Sequence, residues 1–175
     1  MYDDGWHKFS VALWLFGPVR EVMAWIGETE IGPGFTIDAP TTVMWNHENG
    51  LRGVWDVTFG IDMLTPSKYY SSDERFEVQG TKGFARVNRC TARVRQEPSV
   101  EVYVDGESRT YHALDDDWGS SFRDSSRQFV RWLRGDPAGE LLWSAVEARA
   151  VMQFLTAARE SSRRNIPVRI EEFGP

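Results

Sequence analysis

The sequence predicts an α+β fold: a large, mostly antiparallel open sheet with helices on one face. Three observations predict it. Helical periodicity is confined to the two ends of the chain. The middle is a run of short β-branched and aromatic segments separated by turn signals. The resulting order is helix, many strands, two helices, and such segregation favours an antiparallel sheet over a βαβ repeat. The 175 residues suggest one domain, 1–175, able to bury roughly 70% of its unfolded surface. Apolar residues make up 41% and aromatics 13%, with eight Trp, so large rings should dominate the packing.

Trp6, Phe9, Leu13 and Phe16 recur at helical spacing. Asp3 or Asp4 supplies an N-cap and Gly17-Pro18 a stop, giving a helix over about 4–16. Val19 to Ile26 reads as a strand ending at Gly27. Glu28 to Pro40, with Gly32, Pro33, Gly34 and Asp38, reads as a loop. Thr41 to His47 is a strand, Asn49-Gly50 a hairpin turn and Leu51 to Ile61 the return strand. There Leu51, Gly53, Trp55, Val57 and Phe59 share one face, and Arg52, Val54, Asp56 and Thr58 the other. Short strands follow at Arg75–Gln79, Phe84–Asn88, Ala92–Arg95, Val100–Val104 and Ser108–Tyr111, with turns at Gly80–Gly83 and Asp105-Gly106. After Trp118 the helical period returns: Phe122, Ser126, Phe129 and Leu133 align, ending at Gly135-Asp-Pro137. Ser144 and Glu147 have capping-box spacing. The last helix, with Ala145, Ala148, Met152 and Leu155 on one face, runs to about Arg164, and Val168–Ile170 adds a final strand.

Composition excludes several functions. The net charge is −6, from 20 basic and 26 acidic residues, and no basic stripe marks a nucleic-acid binder. The lone cysteine, Cys90, cannot form an internal disulfide and fits a reducing compartment. No signal peptide and no membrane-length apolar run is present, so a soluble, cytoplasmic protein with no membrane partner is expected. The chain carries no Gly-x-Gly-x-x-Gly after a strand, no phosphate-binding Gly-rich loop with Lys, no Gly-x-Ser-x-Gly and no local zinc cluster.

What remains is a pair. Asp3 and His7 are four apart, so a helix would stack them on one face at its start. They could carry proton transfer, or Asp3 could simply cap the helix. Lys8 is close enough to reach a substrate, though it and Asp4 also suit a solvated helix start. Trp118, after an acidic run, could stack on a sugar ring or anchor the next helix. Tyr69, with Lys68 and Tyr70, could line a cleft or a surface loop. His47 and His112 read as surface strand positions, Cys90 as inert, and Trp45, Trp55 and Phe59 as core or interface rings.

Four stretches give a family resemblance. Asp3-Asp-Gly-Trp-His7 with Leu15-Phe-Gly17 and Val22-Met-Ala-Trp25 is similar to an Asp-x-x-x-His helix, its stop and the following strand. Glu48-Asn-Gly50 is similar to a hairpin turn, and Phe76 to Gly83 to a Glu-x-x-Gly-Thr-x-Gly turn. Phe122–Leu133, then Ala148–Ser162 ending Ala157-Ala-Arg-Glu-Ser161, and Pro167-Val168 resemble closing helices and a terminal strand. In that order they resemble the C-terminal domain of the Gfo/Idh/MocA oxidoreductases over nearly the whole chain. The resemblance implies a fold like the C-terminal domains of dihydrodipicolinate reductase and glyceraldehyde-3-phosphate dehydrogenase.

It also implies that Asp3 and His7 stand where the family has its active-site acid and histidine. His7 would hydrogen-bond or relay the proton of a substrate hydroxyl, and Asp3 would orient the imidazole or bind a neighbouring hydroxyl. The substrate would be a sugar, inositol or related polyol. NAD or NADP would belong to a Rossmann half that this sequence lacks, together with the family's lysine, and Ser10 stands where the family often has an acid. No cofactor is therefore expected on this chain alone, which would be inactive without that half: a piece of a longer enzyme or a truncated gene product. The open sheet face predicts a homo-oligomer, at least a homodimer. The competing reading is a stand-alone, cofactor-free dimerisation or ligand-binding module.

Overall fold

The computed structural model describes residues 1, 4–59, 73–90, 97–115, 117–140 and 143–174, without the side chains of Arg89, Cys90 and Trp118. In chain order the elements are α1 (Asp4–Phe16), β1 (Val19–Ile26), β2 (Thr29–Gly32), β3 (Phe35–Ile37), β4 (Thr41–His47), β5 (Arg52–Val57), β6 (Asp73–Gln79), β7 (Gly83–Cys90), β8 (Val100–Val104), β9 (Glu107–Tyr111), α2 (Trp118–Leu133), α3 (Ala145–Arg164) and β10 (Val168–Arg169). They fall into two compact units, Met1–Ile61 with Leu142–Pro175, and Asp62–Leu141.

The first unit holds an antiparallel sheet in the order β10-β1-β4-β5. Alternation along β4 sends Thr41, Val43, Trp45 and His47 to the inner face. There α1 contributes Phe9 and Ala12, and α3 contributes Val151, Phe154 and Leu155. Phe9 is the hub. It stacks on Phe154 at 4.2 Å between centroids and meets Trp45 and Trp55 edge-on at 5.8 and 5.3 Å, geometries that aromatic quadrupoles favour. Both helices therefore cover one face of this sheet.

Local chemistry sets the helix ends. Ser144 and Glu147 form the capping box predicted for α3, which stops where Asn165 turns left-handed at φ 56°. Gly17 at φ 81° ends α1, its N–H returning to the Leu13 carbonyl at 2.9 Å. Two serines of α3 finish the sheet edge. β10 pairs with β1 only at Glu21 and Val22. The β1 amides beyond it, Ala24 and Ile26, donate to the hydroxyls of Ser161 and Ser162, both at 3.0 Å. Ser161 passes its own proton to the Ile166 carbonyl at 2.6 Å, so a buried polar group is fully used.

The second unit holds an antiparallel sheet in the order β6-β7-β8-β9. The Gly80–Gly83 turn is closed by Gly80 N–H to the Gly83 carbonyl at 2.8 Å. A Cβ on Gly83 would lie 1.8 Å from the Tyr103 carbonyl oxygen, so backbone approach demands glycine there. Asp117 caps α2 by accepting the Ser120 N–H.

The α+β class and the mostly antiparallel sheets are as predicted. The strands assigned to one sheet are hydrogen-bonded as two four-stranded sheets, and Glu28–Pro40 contains a two-stranded ribbon, β2–β3. The return strand ends at Val57, not Ile61. The α3 face is also rotated: Val151, Phe154, Leu155, Ala158 and Ser161 are buried, while Met152 and Ala145 are exposed. The strand expected at Ala92–Arg95 lies outside the described residues.

Candidate functional site

His7 is exposed on the second turn of α1. Phe9, two residues on and on the opposite side of the helix, is fully buried. The His7 carbonyl accepts the Ser10 hydroxyl at 2.9 Å. Lys8 is half-buried, and its Nζ lies 3.1 Å from Asp4 Oδ1, one turn earlier. Asp4 thus pairs with Lys8 at the helix start. Trp118 is the first residue of α2, in the second unit. Asp3 and Tyr69 lie outside the described residues. Of the five candidates, His7 and Lys8, sequence neighbours on α1, are the two whose side chains are described.

His47 corrects a sequence expectation. Read as a surface position, it is 1% exposed. The alternation that buries Val43 and Trp45 simply continues to it. Its ring accepts from Trp45 Nε1–H through Nε2 at 2.9 Å, which leaves the proton on Nδ1, donated to the Gly17 carbonyl at 2.9 Å. Its neighbours extend the clamp. Glu48 N–H donates to the Pro18 carbonyl at 2.9 Å and Asn49 Nδ2 to the Phe16 carbonyl at 2.9 Å. Three successive carbonyls, from the last residue of α1 to Pro18, are thus taken by His47 at the end of β4 and the two residues after it. The clamp fixes the far end of the helix that carries His7. His112 is exposed just past β9, as expected.

A cleft of about 250 Å³ lies at that far end, lined by Leu13, Arg20, Glu48, Phe154 and Ile170 among others, and by neither His7 nor Lys8. Among the described residues no group of three or more His, Cys, Asp or Glu could hold a metal ion. No described helix is long and apolar enough to cross a membrane.

Among the described residues, neither the glycine-rich turn nor the N-termini of α2 and α3 are arranged to hold a dinucleotide. Diphosphate binding uses a glycine-rich turn opening into a free helix N-terminus. Here the Gly80–Gly83 turn joins two strands. The N-termini of α2 and α3 are already filled by Asp117 and by the Ser144–Glu147 box, and the Ser144 hydrogen bonds hold the Glu147 carboxyl below its usual range.

This architecture defines a class: an α+β domain whose antiparallel sheet is backed by an N-terminal and a C-terminal helix, with a histidine exposed at the start of the first. Residues 1–86 match the family described as the GFO/IDH/MocA C-terminal domain, the family that the motifs resemble. No curated protein matches. Solved structures with the same fold include levoglucosan dehydrogenase in complex with NADH and levoglucosan. It is 20% identical with a TM-score of 0.73, over 96% of this chain and 49% of that one. An oxidoreductase from Agrobacterium radiobacter in complex with NAD+, L-tartaric acid and magnesium is 18% identical with a TM-score of 0.73, over 98% and 49%. The WlbA dehydrogenase from Bordetella pertussis, in complex with NADH and UDP-GlcNAcA, is 21% identical with a TM-score of 0.64, over 95% and 45%. The chain spans about half the length of each.

Proposed function

We propose that this chain is the substrate-facing and subunit-contacting domain of an NAD- or NADP-dependent oxidoreductase acting on a sugar, inositol or related polyol, and that it is not catalytically competent by itself. The carrying observation is that the family match covers α1 and that α1 presents His7 to solvent from a rigid, clamped helix. Imidazole is the side chain suited to exchanging a hydroxyl proton near neutral pH. Asp3 orients that ring or holds a neighbouring hydroxyl, and Lys8, Trp118 and Tyr69 complete substrate binding. The similar proteins carry levoglucosan, tartaric acid or a sugar nucleotide, all rich in hydroxyls, which supports a polyol. The cofactor belongs to a second domain, a reading supported by the filled N-termini of α2 and α3. One domain over 1–175, homo-oligomeric through the open sheet face and cytoplasmic on its cysteine usage, completes the proposal.

The test is hydride-transfer assay of the chain joined to its dinucleotide-binding half. His7→Ala should lower kcat by about 10²–10⁴; unchanged turnover refutes the role of His7. The stand-alone module is favoured instead by the missing dinucleotide fingerprint. The two readings separate in the same assay, because a stand-alone module gains no activity from any dinucleotide-binding half.

A further inference from the structure

We propose that His47 and Asn49 are positioning residues for His7: their hydrogen bonds to the end of α1 set the rotation and the axial place of the helix that carries the exposed imidazole. This rests on the functional reading above and names what aims its catalytic group. The core by itself aims it poorly. α1 meets the core through Gly5, Phe9 and Ala12. Two of these are among the smallest residues, and the contacts of all three are apolar. Such contacts hold the helix at a distance from the sheet but have no preferred direction, so they resist rotation and sliding weakly. The Ser10 hydroxyl bond and the Lys8–Asp4 ion pair stay within the helix, so they do not tie it to the sheet.

Hydrogen bonds are directional, and the end of α1 has them. Asn49 Nδ2, His47 Nδ1 and the Glu48 N–H hold the carbonyls of Phe16, Gly17 and Pro18, each at 2.9 Å. His47 is fixed in turn. It is buried, its other ring nitrogen is taken by Trp45 Nε1–H at 2.9 Å, and it meets the Phe16 ring edge-on at 5.8 Å between centroids. Trp45 is wedged edge-on against Phe9 and Phe154 at 5.8 and 5.4 Å. A continuous set of contacts therefore runs from the core hub through Trp45 and His47 to the end of the same helix. A side chain reaches roughly 6 Å from the axis of its helix, so a rotation of about 10° carries its tip about 1 Å. A misplacement of about 1 Å is enough to slow a reaction about 10²-fold.

The test pairs geometry with turnover in three variants. Asn49→Asp removes the donor to Phe16 and keeps the shape and the Oδ1 that accepts the Leu51 N–H at 3.1 Å. Asn49 is exposed, so this variant stays folded even where His47→Leu does not. His47→Leu removes both ring bonds. His47→Gln retains an acceptor for Trp45 and a donor for Gly17. Residual dipolar couplings of the α1 amides in the full chain, compared with those of β1 and β4, read the helix orientation. Hydride transfer by the chain joined to its dinucleotide-binding half reads the consequence. Asn49→Asp and His47→Leu are expected to turn α1 and to lower kcat about 10–10²-fold at unchanged dinucleotide KM, while His47→Gln stays within about twofold. Unchanged couplings in Asn49→Asp overturn the inference, whatever its melting temperature. Changed couplings with unchanged turnover also overturn it, as does a His47→Gln form as slow as His47→Leu. These outcomes leave the proposed function standing, because that is decided by His7→Ala; turnover that does not depend on His7 overturns both.

Discussion

At the scale of single residues, two positions carry more than their side chains suggest. Gly53 pairs with Trp45 across the strands, and a Cβ there would lie 2.1 Å from the indole. The ring lies over the space that a side chain would fill, so Gly53→Ala should destabilise the protein by about 1–3 kcal/mol through overpacking. The urea midpoint would fall with an unchanged slope; an unaltered midpoint would show that the indole can move aside. His47 works through hydrogen bonds. His47→Ala leaves the buried Trp45 N–H and the part-buried Gly17 carbonyl without their partner, at about 1–3 kcal/mol for each unsatisfied group. Urea titration should show a loss of about 2–4 kcal/mol. The burial of His47 was legible, because it continues the odd positions of β4. Its partner was not: Gly17 lies 30 residues away, and no local pattern announces such a contact.

At the scale of elements, ends were easier to read than faces. Asp-x-x-x-His, Gly17-Pro18, Asn49-Gly50 and the Ser144–Glu147 box are local, and they fix the bounds of α1, β4 and α3 within a residue or so. The buried face of α3 was misread because its first turns reach past the core. Ala145, Ala148 and Met152 are apolar at helical spacing, yet the packing begins at Val151. The ribbon β2–β3 was hidden by its own turn, since Pro33 and Gly34 lie between strands of only four and three residues. The end of α3 supplies a pH test. Hydrogen bonds from Arg163, then Arg164, lower the Glu160 carboxyl to about 2. A depressed carboxylate stabilises the fold fully above its unfolded value of 4.5, and that contribution is lost as pH falls toward 2. The melting-temperature gap between the protein and Glu160→Gln should be constant near neutrality and close over that window. Because the pair is exposed, added salt should narrow the gap as well. A gap independent of pH would assign the stabilisation to something other than the charge.

At the scale of the whole molecule, composition and element order were enough for the α+β class, because segregated helices and strands have few ways to bury their apolar faces. The division of the strands into two hydrogen-bonded sheets was not legible, since strand pairing depends on contacts distant in sequence. Of the candidate site, the motif singled out α1 and His7, and the observed helix, beginning at Asp4, carries His7 and Lys8 on its first turns. The proposed oligomer is tested on the sheet face. Val54 is 64% exposed, so Val54→Lys should leave the melting temperature nearly unchanged and shift sedimentation at micromolar concentration from dimer to monomer. A monomer before substitution, or a dimer after it, would reject that face.

The clamp after α1 also restricts how this fold can change length. Phe16, Gly17 and Pro18 are matched one to one with Asn49, His47 and Glu48. An added or deleted residue on either side would throw these bonds out of step and let the helix carrying His7 swing. Insertions are therefore barred from two of the sharpest turns in the first unit. The ribbon offers them a place, because Gly27 N–H and the Pro40 carbonyl close its base at 2.8 Å. Whatever is threaded between those residues can lengthen or shorten without disturbing the strands on either side.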